Sequence, residues 1–66
     1  MTTYQEKMET LEKMSRTEMK MKAIETFGLN DKWTIDFVMA CETTNKYMDN
    51  TLRVLLNCKL ENENKW

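Results

Sequence analysis

Apolar residues recur every three or four positions along most of the chain, and the longest such run lies between Asp31 and Leu60. That stretch holds no glycine or proline. Set on a helix at 3.6 residues per turn, Trp33, Phe37, Ala40, Cys41, Thr44, Tyr47, Met48, Thr51, Leu52, Leu55 and Cys58 share one stripe. The stripe stays in phase through Asp49-Asn50, the most breakable dipeptide within it. The pattern therefore predicts one long helix over 31–60, with Asn30 or Asp31 as N-cap. Ile35, Val38, Met39, Leu56 and Leu60 fall on a flank of the stripe. A helix apolar over so wide an arc usually touches more than one neighbour.

Upstream, Tyr4, Met8, Leu11 and Met14, with Met1, occupy one narrow helical face, which predicts a first helix over 2–14. Ser15-Arg16-Thr17-Glu18 matches the capping box, in which Ser caps forward and Glu reaches back. Beyond it the apolar face moves to Ala23, Ile24 and Phe27. A break at Ser15 lets both segments face one core, so a second helix is expected over 16–27. Gly28, the only glycine, suits a left-handed C′ position, with Leu29 as the hydrophobic residue of a Schellman motif. Glu61 to Trp66 reads as a fraying polar tail, with Trp66 as an exposed or interface aromatic. The expected fold class is all-α: a single domain, a helical hairpin or three-helix chain with a long C-terminal helix.

Length changes this picture. An unbroken helix over 31–60 would span about 45 Å, whereas a compact chain of 66 residues has a radius of gyration of roughly 11 Å. One such globule cannot cover the helix, so the pattern predicts assembly into an oligomeric bundle. Chains this short also draw on disulfides, metals or oligomerisation for stability. The two cysteines, Cys41 and Cys58, would stand roughly 25 Å apart on the long helix, too far to pair, and read as reduced core thiols. Reduced thiols, with no signal-type or membrane-spanning run, give cytoplasmic as the expected location.

Candidate chemistry is sparse. Histidine is absent, so neither cysteine has the usual base, and two cysteines alone do not make a zinc site. No carboxylate pair sits on an apolar face. The expectations are no enzyme, no metal and no cofactor. Ten basic against eleven acidic residues disfavour general nucleic-acid affinity. Lys22 to Asn30 resembles the first helix and turn of a DNA-binding helix-turn-helix, which would use region 16–42. The following Asp31-Lys32-Trp33-Thr34-Ile35-Asp36 departs from that motif, because a recognition helix needs donors for base edges at its start.

The function expected from sequence is a non-enzymatic protein–protein interaction module, a small regulator or inhibitor, acting as a homo-oligomer and on another protein. Trp33, Phe37, Tyr47, Met48, Leu52 and Leu55 form the expected seam between copies, and Ile35, Val38, Met39 and Leu56 a second contact. A DNA-binding regulator is the first alternative, and an oligomer binding a small ligand between chains the second. The size suits a phage or plasmid accessory protein.

Overall fold

Where helices stop decides this architecture. The computed structural model describes residues 3–66 and contains four α-helices: α1 (Tyr4–Glu12), α2 (Arg16–Phe27), α3 (Lys32–Thr43) and α4 (Asp49–Asn62). A single 3₁₀ turn, Lys46–Met48, joins α3 to α4, and no strand occurs among the described residues. The start of the first helix expected at residue 2, and the place of Met1 on its face, lie outside the described residues.

Both N-terminal helices open on a capping box. Thr3 Oγ1 accepts from the Glu6 N–H at 3.2 Å, while Glu6 Oε1 accepts from the Thr3 N–H at 3.3 Å. Ser15 and Glu18 make the same reciprocal pair at 3.2 and 3.0 Å, so the expected break at Ser15 is present. It lets α1 and α2 contribute to one core. Leu11, Met19 and Ala23 join Phe37, Cys41, Leu52, Leu56 and Leu60 in the buried centre, with Met8, Met14, Phe27, Trp33 and Ala40 packed around it.

Gly28 ends α2, but not by the expected route. Its φ of 79° is positive while its ψ is 161°, an extended mirror-image conformation that glycine alone adopts readily. Its N–H donates to Ile24 O at 2.8 Å, and Leu29 is exposed rather than folded back as the hydrophobic partner of a Schellman turn. The paired bonds of that motif occur at the other end of the chain. Asn64 sits at φ 58°; its N–H donates to Glu61 O at 3.1 Å and the Lys65 N–H to Leu60 O at 2.8 Å, as the 5→2 and 6→1 bonds require. Residues 61–66 are therefore not a frayed tail. Helix α4 runs on to Asn62, and Trp66 returns to donate from Nε1–H to Oδ1 of buried Asn57 at 3.0 Å.

The helix expected over 31–60 is divided, and the division falls at Thr44-Asn45 rather than Asp49-Asn50. Thr43 and Thr44 turn their hydroxyls back onto Met39 O and Ala40 O, at 2.8 and 2.6 Å. Such bonds compete with the helical ladder. Thr44 then leaves helical geometry at ψ 156°, and the Asn45 side chain accepts from the Tyr47 N–H at 3.0 Å, capping the short turn. Arg16 completes the stop: its guanidinium donates to the carbonyls of Cys41, Thr44 and Asn45 and to Asp49 Oδ1.

Folded back in this way, α4 packs on α1 and α3 on α2, and α2 and α3 also touch α4. The extents are 33 × 27 × 15 Å and the radius of gyration 11.1 Å. The 45 Å rod that called for a second chain to cover it does not exist. The accessible surface, 4616 Å², is close to the roughly 4,500 Å² expected of a folded monomer of 8.0 kDa. Cys41 is buried and Cys58 exposed, both as free thiols, so only Cys41 is the core thiol expected of both.

Candidate functional site

Asp31 caps the start of helix α3, its side chain accepting from the Trp33 N–H at 2.9 Å. The same carboxylate meets Lys59 Nζ of α4 at 3.2 Å. The bond from the Trp33 backbone, then that from Lys59, holds the Asp31 carboxyl below its ordinary range. Lys59 lies over two rings, 5.2 Å from the Phe27 centroid and 5.6 Å from that of Trp33. One turn apart on α3, Trp33 and Phe37 stack with centroids 5.0 Å apart and planes 8° from parallel. Phe27 meets Trp33 edge-on at 5.7 Å. The aromatic cluster is thus fixed from three helices, with a cation above it.

This cluster borders an open cleft of about 260 Å³, lined by Trp33, Asp36, Phe37 and Ala40 of α3 and Leu55 of α4. Four of the five lining residues are apolar, and Asp36 supplies the one charge. Ile35 and Met39 are also exposed on this helix but lie farther round it, beyond Asp36, with Ile35 nearly opposite the cleft at about 3.6 residues per turn. Lys32 is exposed at the start of α3 and reaches Asp36 at 3.0 Å.

The residues expected at an interface separate into three groups. Phe37, Leu52 and Leu56 are buried and belong to the chain's own core, and Phe37 also lines the cleft. Trp33 and Val38 are half-buried. Ile35, Met39, Met48, Leu55 and Tyr47 are exposed, Tyr47 by 85%. Of the proposed seam, Trp33, Phe37 and Leu55 meet at the cleft; Tyr47 and Met48 sit in the 3₁₀ turn and do not line it. The divided helix places Leu52 one turn into α4, facing inward, which removes it from any continuous stripe with Phe37.

Two arginines escaped the pattern. Arg16 serves the end of α3 as described, and Arg53 of α4 donates from Nε to Leu11 O near the end of α1 at 3.2 Å. Their partners are mostly backbone carbonyls, which a pattern of side-chain types does not display. Burial, the largest influence, pushes the Cys41 thiol above its ordinary value, so it stays protonated at neutral pH. Thr34 is buried and its hydroxyl has no partner among the described residues; it does not line the cleft.

No group of three or more His, Cys, Asp or Glu side chains is placed to hold a metal among the described residues, and no helix is long and apolar enough to cross a membrane. Helices α2 and α3 flank the Gly28 turn as in a helix-turn-helix corner. The exposed side chains along α3 are Lys32, Ile35, Asp36, Met39, Glu42 and Thr43, more apolar and acidic than cationic. The chain is thus defined as an all-α protein with an apolar cleft between two helices. No family model, curated protein or solved structure matches it.

Proposed function

We propose that this protein is a helical interaction module that acts as a small regulator by docking another polypeptide on the α3–α4 face. The observation behind this reading is the apolar cleft, with Met39 and Ile35 exposed farther round α3. A clustered apolar surface rimmed by charge is the usual mark of a protein contact, and a cleft between two helices suits an apolar anchor projecting from a partner helix. The Trp33–Phe37 stack, held by Phe27 and Lys59, is a rigid floor, so little ordering would oppose binding.

A photo-reactive phenylalanine analogue placed singly at Ile35, Leu55 or Glu25 tests this in the cells that make the protein. The reading expects protein adducts from positions 35 and 55 and none from position 25, which lies exposed on α2. Equal adducts at all three positions, or none at any, would overturn it. The adduct mass separates a second copy, a multiple of 8.0 kDa, from a different protein.

A further inference from the structure

We infer that the occupant of the α3–α4 cleft is a second copy of this chain, in a two-fold arrangement where each cleft takes the other copy's Met39. This inference rests on the interaction reading above and names its partner. Charge selects this occupant. The exposed edge of α3 carries Lys32 and Asp36, one turn apart and, among the described residues, bonded only to each other at 3.0 Å; its other exposed anion, Glu42, is already paired with Lys20 of α2 at 3.5 Å. An acidic partner helix would be drawn to Lys32 and repelled by Asp36, and a basic one the reverse. The same face of a second copy presents both signs. Related by a two-fold axis, Lys32 of each copy meets Asp36 of the other, which is the self-complementarity an isologous interface requires. The net charge of −1 sets up little repulsion between copies.

The shape agrees. A cleft of about 260 Å³ lined by five residues has room for a long side chain rather than for a whole helix. Met39 is exposed, immediately precedes Ala40 of the cleft wall, and is unbranched and polarisable, as suits an irregular apolar gap. Each cleft is then completed by a residue of the other copy. A standard interface removes roughly 800 Å² from each partner, about a sixth of the 4616 Å² here. The cleft and Met39 make a small patch, so the dimer dissociates in the micromolar range.

Sedimentation velocity on the purified, reduced chain over about 10–300 µM tests this. The expected result is a rise from 8.0 kDa toward twice that mass as concentration increases. Met39→Lys, a surface change that leaves the core intact, is expected to weaken association by about tenfold or more, while Tyr47→Lys in the 3₁₀ turn leaves it unchanged. Lys32→Asp and Asp36→Lys each place like charges opposite one another and are expected to remain monomeric. Mixed at equal concentration in moderate salt they restore both cross-pairs and the dimer, a rescue that a bond within one helix cannot produce. A wild-type chain that stays at 8.0 kDa throughout overturns the inference. So does a Met39→Lys chain that associates as the wild type does, or a mixture that stays monomeric. If the wild type is monomeric while positions 35 and 55 give adducts with a different protein, this inference falls and the interaction reading stands. A monomer with no adducts removes both.

Discussion

Arg16 holds four groups at once. One guanidinium donates to three carbonyls around the end of α3 and, at 2.7 Å, to Asp49 at the start of α4. A planar fork can serve several acceptors in fixed directions, whereas an ammonium is a point charge on a flexible stem. Arg16→Lys keeps the charge and loses the fork. We expect a loss of about 1.5–3 kcal/mol, the range for hydrogen bonds to charged groups. In a chain this small, each kcal/mol lowers the melting temperature by about 4–8 °C. Thermal and urea unfolding followed by circular dichroism measure it, and an unchanged midpoint would show that the carbonyls are equally well served by water. In the sequence Arg16 is legible only as an interior residue of the Ser15 capping box. Its partners lie 25 to 33 positions away, and apolar spacing carries no record of them.

At the scale of elements, punctuation was readable where one local rule sufficed. Ser15 and Glu18 signal a helix start by themselves. Thr44-Asn45 does not signal a stop, because the apolar stripe continues in phase on both sides of it, and periodicity is blind to a break that preserves phase. Asp49, which looked like the breaker, instead lies in the first turn of α4, where its charge complements the helix dipole. The Gly28 turn was legible in place and not in detail. A Cβ built there would meet nothing within 4 Å, so Gly28→Ala tests backbone conformation apart from crowding. At φ 79° and ψ 161° we expect about 1–3 kcal/mol of destabilisation, read from the denaturant midpoint. A variant as stable as the wild type would mean that the turn has a second conformation of equal energy.

For the whole molecule, the all-helical class followed from period alone, and the dimensions did not. One division in the longest apolar stretch turns a rod into a hairpin and sends Leu52 and Leu56 into the chain's own core. Most of the cleft was legible: Trp33, Phe37, Ala40 and Leu55 all fall on the apolar stripe, but Asp36 carries no apolar signal, and the stripe gives no sign that these residues border an open cleft. Asp31 links α3 to α4 through Lys59 and bears on stability against acid. Its folded-state pKa lies below the ordinary value of 3.8. The stabilisation is therefore complete above that ordinary value and disappears as pH falls through the lower, folded one. Asp31→Asn should flatten the dependence of unfolding free energy on pH below about pH 5, measured by urea titrations at several pH values. An unaltered slope would assign acid sensitivity to other carboxylates.

The return of Trp66 onto Asn57 has a spectroscopic consequence. The chain carries two indoles, and the fold separates their surroundings. Trp33 is clamped between Phe27 and Phe37, whereas Trp66 hangs on the turn at Asn64 and one hydrogen bond, with Lys7 Nζ 5.9 Å from its ring. Emission from Trp66 therefore reports the opening of the last turn of α4, and emission from Trp33 reports loss of the core. Unfolding curves from Trp33→Phe and Trp66→Phe proteins will diverge at low denaturant, and the gap between them is a direct reading of how far the C-terminal turn loosens before the rest of the chain gives way.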